Sequence, residues 1–145
     1  SIGLPHRRIV ALDTDGGMFF NLGILATLAN ERPKNLMVVV WDNECYQSIG
    51  GPPTHTAAGI VELSAIARGA GIKNAYVVRD LATFEKLCDE GLQADELYFI
   101  VAKVGKTVAP GLKRKHSDGI EDKYVFVRYV EKTEDVTIMR PSEHN

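Results

Sequence analysis

Arg8-Ile9-Val10-Ala11-Leu12 runs directly into Asp13-Thr14-Asp15-Gly16-Gly17. A short apolar segment followed at once by turn-forming residues is the pattern of a buried strand. Phe20 to Glu31 then carries Leu22, Leu25, Ala26 and Ala29 at helical spacing, and Pro33 closes that helix. Leu36-Met37-Val38-Val39-Val40-Trp41 is continuous and rich in β-branched residues, as in a strand covered on both faces. Strand, helix and strand in succession make a parallel βαβ unit.

The alternation continues outward. A loop spans Asn43 to about His55 and contains Gly50-Gly51-Pro52-Pro53. Thr56 is placed to cap a helix running to about Ala70, with Ile60, Leu63, Ala67 and Ala70 on one side. Asn74 to Val78 reads as a third strand. Asp80 caps a helix over Leu81 to Glu90, with Gly91 just past its end, and Glu96 to Val104 is a fourth strand. Tyr124 to Glu131 alternates enough for a strand, yet Asp118 or Glu121 can start a helix there, and the helix is the preferred reading. The expected class is α/β: a three-layer sandwich with a mainly parallel central sheet and helices on its faces.

At 145 residues, 45% hydrophobic and 25% charged, the chain has the makeup of one globular domain. Those values exclude a mainly disordered chain, a coiled coil and a collagen-like fibre. No apolar run reaches the roughly 18 residues of a membrane span. A formal net charge of −2 supplies no broad basic field, so neither nucleic acid nor a membrane is an expected partner. Cys45 and Cys88 form no C-x-x-C spacing and fit reduced thiols of a cytoplasmic protein. The segment Ser1 to Arg8 lacks an apolar signal-peptide core and an initiator Met, so the chain is expected to be processed or to begin within a longer one.

In open parallel sheets, ligands bind beyond the carboxyl ends of the strands. The first such end carries Thr14-Asp15-Gly16-Gly17, where paired glycines let a phosphate approach the backbone and the following helix offers free amides. A carboxylate there makes sense with a divalent cation between it and the phosphate. The second end carries Asp42-Asn43-Glu44-Cys45-Tyr46, and Asn43 lies 28 residues after Asp15. One βαβ unit has about that length, so both residues emerge at one edge of the sheet. A carboxylate, an amide oxygen and a backbone carbonyl are hard ligands that suit Mg²⁺. Taken singly, each segment is as well read as a turn or a helix cap. The pairing is what points to a site.

The stretch Leu12 to Gly23, with Val38-Val39-Val40-Trp41-Asp42-Asn43 after it, resembles the cofactor motif of thiamine diphosphate enzymes, Gly-Asp-Gly followed by Asn-Asn. Thr14 stands at the first glycine of that pattern and Asp42 at its first Asn. Within those enzymes the chain is most similar to sulfopyruvate and phosphonopyruvate decarboxylases, through Ala26 to Asn30, Pro33 to Leu36, Tyr46 to Gly51 and Pro53 to Thr56. The resemblance covers nearly the whole chain, and its specific part is Leu12 to Thr56.

The resemblance implies a single diphosphate-binding domain over residues 1–145, the C-terminal type, without the strand–helix segment that precedes it in the family. It implies thiamine diphosphate and Mg²⁺ as cofactors. Asp15, Asn43 and the Cys45 carbonyl would ligate the metal, Gly16 and Gly17 would offer amides to the diphosphate, and Thr14 and Tyr46 would line the same site. From the residues alone, Tyr46, like Trp41, reads as a packing residue rather than a cofactor contact. The implied reaction is non-oxidative decarboxylation of a small anionic 2-oxo acid to an aldehyde, with the cofactor as electron sink. The activating Glu would come from a pyrimidine-domain, alpha-type subunit, in an oligomer of which this chain resembles the beta subunit. Another thiamine enzyme, acetolactate synthase-like or a 2-oxoacid oxidoreductase, and a degenerate assembly or regulatory subunit are the alternatives. His55 would meet the substrate anion or move a proton, or is simply a solvated loop residue. Lys113-Arg114-Lys115-His116 would grip an anion, or is a solvated face.

Overall fold

The computed structural model describes residues 1–107 and 118–139. The chain divides into two compact units, Ser1–Thr107 and Val108–Asn145. The basic run Lys113 to His116 lies outside the described residues.

In the first unit, four strands form one sheet: β1 (Ile9–Thr14), β2 (Leu36–Asp42), β3 (Asn74–Val78) and β4 (Tyr98–Lys103). Their spatial order is β1-β2-β4-β3, and every pair is parallel. The helices are α1 (Asp15–Phe20), α2 (Gly23–Glu31), α3 (Leu63–Ala70) and α4 (Leu81–Gln93). The expected α/β sandwich is present.

Two apolar layers follow from the period-2 alternation of β2. Leu36, Val38 and Val40 join Met18, Leu25, Leu63, Ala67, Phe99 and Val101 in one core. Met37 and Val39 join Ile100, Ala102, Val78 and Leu87 in the other. Thus α1, α2 and α3 cover one face and α4 the other. The chain steps the same way from β1 to β2 and from β2 to β3, then reverses to reach β4. With crossovers of constant hand, that reversal sends α4 to the opposite face.

The amino ends of the strands are tied by Arg8. Its guanidinium donates to the carbonyls of Lys34 (2.7 Å), Ala94 (2.8 Å), Leu36 (3.3 Å) and Glu96 (3.2 Å). One fixed fork thereby holds the approaches to β1, β2 and β4 together. A cavity of about 560 Å³ opens at this same end, between Leu28, Arg32, Ile72 and Leu97.

Three local expectations are corrected. The helix expected over Phe20 to Glu31 is two helices, α1 starting at Asp15 and α2 at Gly23. Asn21 leaves helical dihedrals at φ −149°, ψ 66°, and Asn and Gly are both poor helix formers. Thr56 caps no helix: α3 begins at Leu63, and Ile60 is 88% exposed. The Thr56 hydroxyl is spent on buried carboxylates instead, and Gly59 at φ +72° interrupts any helix before Leu63. Gly91 lies inside α4 rather than past its end. A Cβ there would meet Met37 Sδ at 2.7 Å and the Tyr98 ring at 3.2 Å, so this glycine allows the helix to approach the sheet.

In the second unit, α5 (Gly119–Glu134) is the preferred helix of the tail. Asp118 caps it, accepting from the amides of Ile120 (2.9 Å) and Glu121 (3.4 Å).

Candidate functional site

Register brings the two sequence segments together. Thr14 pairs with Trp41 across β1 and β2, so Asp15 and Asp42 leave the sheet side by side at its carboxyl edge. Thr14 forms the N-cap of α1. Its Oγ1 accepts from the Gly17 amide at 3.1 Å, and its own amide donates to Asp13 Oδ1 at 2.7 Å. The glycines allow close packing rather than an unusual backbone. A Cβ at Gly16 would lie 2.8 Å from the Tyr46 ring, and one at Gly17 only 2.1 Å from Asp13 Oδ1.

After β2 the chain makes two consecutive side-chain turns. Asp42 Oδ1 accepts from the Glu44 amide at 3.1 Å, and Asn43 Oδ1 accepts from the Cys45 amide at 3.2 Å. They hold Glu44 in the left-handed region, φ +59°. Gly50 (φ +97°) and Gly51 (φ +83°) then turn the loop back on itself. Tyr46 donates its amide to Pro52, and Thr54 donates its amide to Glu44. This return delivers Thr54 and Thr56 to the edge of β1 and β2, both buried, with His55 exposed between them.

The electrostatics are unequal. Asp15 and Asp42 are both completely buried. Asp42 has a counter-charge: Lys103 Nζ sits 2.8 Å from its Oδ2 and 3.0 Å from Glu44 Oε1. Burial pulls the Lys103 ammonium down, but the bonds to Asp42 and Glu44 outweigh it, and its pKa stands above the ordinary lysine value. Asp15 has no such partner among the described ion pairs. Its Oδ2 accepts from Thr54 Oγ1 at 2.5 Å and lies 3.3 Å from Thr56 Oγ1, while its Oδ1 is buried with no hydrogen-bond partner among the described residues; Asp42 Oδ2 also lacks a hydrogen bond there but has the Lys103 ammonium.

A buried carboxylate with an orphaned oxygen is costly unless a cation meets it. No group of three His, Cys, Asp or Glu able to hold a metal occurs among the described residues. A cation at Asp15 would therefore draw on amide and carbonyl oxygens. Asn43, which follows β2 at the same edge, has an Oδ1 that keeps a second lone pair after accepting from Cys45. The donor set is hard and oxygen-rich, which suits Mg²⁺.

The other expected residues fall around this point. Tyr46 packs over Gly16, with its ring 6.1 Å from that of Phe20. Cys45 is buried, its thiol is free, and its backbone bridges to Pro53. The His55 ring lies 4.9 Å from Phe19. The Gly17 amide, expected to face a phosphate, is held by the Thr14 hydroxyl. Sequence reasoning missed Thr54, Thr56 and Lys103. The Thr54-His55-Thr56 alternation and a lysine closing an apolar strand were the available signals.

The family model described as "Thiamine pyrophosphate enzyme, C-terminal TPP binding domain" matches residues 1–102. The chain belongs to this family. Its curated relatives include the sulfopyruvate decarboxylase subunit beta of Methanocaldococcus jannaschii, 34% identical over 108 residues, which is 71% of this chain and 56% of that one. The subunit of the same name from Methanothermobacter thermautotrophicus is 38% identical over 96 residues, 63% of this chain and 51% of the relative. Phosphonopyruvate decarboxylase of Streptomyces viridochromogenes is 36% identical over 75 residues, 52% of this chain and 18% of the relative. The chain spans about half the length of the subunit beta relatives it matches. No helix among the described residues is long and apolar enough to cross a membrane.

Proposed function

We propose that this chain is the diphosphate-binding subunit of a thiamine diphosphate-dependent 2-oxoacid decarboxylase of the sulfopyruvate or phosphonopyruvate type. In this reading residues 1–145 form one such domain, and Mg²⁺ is held by Asp15, Asn43 and the Cys45 carbonyl. The observation that carries it is the buried, uncompensated Oδ1 of Asp15 at the carboxyl edge of a thiamine-binding sheet. The names of the curated relatives support the substrate type.

Thiamine diphosphate, when bound, supplies the electron sink that lets a 2-oxo acid lose CO₂ and leave as an aldehyde. The chain's part is to bind and orient. Asp15 and Asn43 would fix the cation, and the diphosphate would lie against it at the carboxyl edge of β1 and β2, where Gly16 and Gly17 let Tyr46 and Asp13 pack closely on the start of α1. The Tyr46 ring closes one side over Gly16 and excludes water. His55, exposed beside this edge, would meet the anionic end of the substrate.

A partner fits the surface around the site. Phe20 is 84% exposed and Ile49 72%, and both adjoin Tyr46. An apolar cluster of this kind beside a polar site is suited to a second subunit, here an alpha-type chain bringing the activating Glu. The free thiols of Cys45 and Cys88 suit a reducing, cytoplasmic setting.

The Thr14 hydroxyl on the Gly17 amide favours a second reading, a subunit that keeps the fold without the chemistry. One experiment separates the two. The tagged chain is isolated from its own cells with Mg²⁺ and thiamine diphosphate present, and the complex is assayed with sulfopyruvate and phosphonopyruvate. Release of CO₂ and aldehyde from either acid, with a similar-sized chain bound, supports the decarboxylase. A stable complex that turns over neither acid contradicts it.

A further inference from the structure

We propose that Thr54 and Thr56 are positioning residues for the cation: together they hold Asp15 by Oδ2 and leave Oδ1 to the metal, while Asp42, neutralised by Lys103, anchors Thr56. The inference rests on the reading of Asp15 as a cation ligand.

A carboxylate has two equivalent oxygens and is free to present either. Here every described donor lies on one side. Thr54 Oγ1 is 2.5 Å from Asp15 Oδ2 and Thr56 Oγ1 is 3.3 Å from the same atom. Neither hydroxyl reaches Oδ1, which is left without a partner. The two hydroxyls are 3.0 Å apart, so each limits the other's rotation. Thr56 also reaches Asp42 Oδ1 at 2.8 Å. A hydroxyl has one proton, so Thr56 cannot fully serve Asp42, Thr54 and Asp15 at once. The Glu44 amide also donates to Asp42 Oδ1 and the Lys103 ammonium pairs with Oδ2, so Asp42 does not depend on Thr56 alone.

The arrangement also assigns the cation to one of two adjacent buried carboxylates. Asp42 is the cross-strand partner of Lys103, so the register of β2 and β4 itself places a positive charge beside it. Neither Asp42 Oδ2 nor Asp15 Oδ1 has a hydrogen-bond partner among the described residues, but Oδ2 of Asp42 faces the Lys103 ammonium, whereas Asp15 has no counter-charge among the described ion pairs. Residues that orient a ligating carboxylate in this way contribute to metal affinity without touching the metal.

The test uses Mn²⁺ as the probe, with thiamine diphosphate present, on the full chain isolated from its own cells with whatever co-purifies. Free Mn²⁺ is read by its paramagnetic resonance signal, at a temperature where circular dichroism shows each apo variant folded. Thr56→Val should weaken Mn²⁺ binding about tenfold or more, and Thr56→Ser should return it to within about twofold of wild type. Thr54→Val, which removes the donor nearest Asp15, should weaken binding by a similar factor and serves where Thr56→Val does not fold. Wild-type affinity in both valine variants would overturn the positioning role while leaving Asp15 as the ligand. Absent binding in the wild type, or equal binding in Asp15→Ala, would overturn the ligand reading and this inference with it.

Discussion

Lys103 and Asp42 face each other across β2 and β4, and their side chains meet at 2.8 Å within the buried edge of the sheet. That pair settles the charge of one of two neighbouring buried carboxylates. Asp15, the other, has the Thr54 and Thr56 hydroxyls on Oδ2 and no hydrogen-bond partner on Oδ1 among the described residues. In the proposed reading, that asymmetry leaves Asp15 Oδ1 to a cation.

Asp15→Asn should therefore stabilise the cation-free protein. The amide keeps an oxygen for Thr54 and removes a buried charge that has no counter-ion. A gain of up to about 1 kcal/mol is expected, because losing an uncompensated buried charge outweighs, but is partly offset by, an Asn Nδ2 with no described acceptor where Oδ1 stood. Thermal melts in a chelator would show it, and the same variant should lose any stabilisation by Mg²⁺ with thiamine diphosphate. A lower melting point than wild type in the chelator would mean that Asp15 is already satisfied.

Gly17→Ala should destabilise the fold and not only the site. Its Cβ would fall 2.1 Å from Asp13 Oδ1, and the Asp13 carboxylate would have to release the Thr14 amide to make room. Overpacking of this kind costs about 1–3 kcal/mol. Denaturant unfolding of the apo protein measures it directly. Gly50→Ala, where no atom lies within 4 Å, separates this packing effect from the strain of a positive φ.

The start of α3 should carry a small acid-sensitive contribution. The Ser64 hydroxyl, with Arg68, holds the Glu62 carboxyl below its ordinary value of 4.5, against the opposing effect of burial. A depressed folded pKa stabilises above the unfolded value and loses that stabilisation as pH falls through the folded value. Glu62→Gln should cost no more than about 1 kcal/mol near neutral pH, because the Arg68 pair is well exposed. The melting curves of variant and wild type should converge as the pH drops below 4.5.

Much of this is legible in the sequence. The β-branched run of β2, buried on both faces, announced a parallel sheet, and the spacing of Asp15 and Asn43 placed both at one edge. Asp80 and Asp118 were readable as caps because their short carboxylates suit that position. Thr56 misled for the same reason. A threonine before an apolar stretch looks like a cap, and only the tertiary fold shows its hydroxyl taken by Asp42. Gly91 likewise looked like a helix stop, whereas packing on Met37 and Tyr98 demands a residue without Cβ inside the helix. Lys103 was invisible as a site residue, since its partner is 61 positions earlier and is found only through strand register.

The most direct test of the central claim is calorimetric titration of thiamine diphosphate into the complex isolated from its own cells, with and without Mg²⁺, for wild type and Asp15→Ala. The account predicts binding that requires Mg²⁺ in the wild type and is lost in the variant. Equal affinity in the two proteins, or wild-type binding indifferent to Mg²⁺, would contradict it.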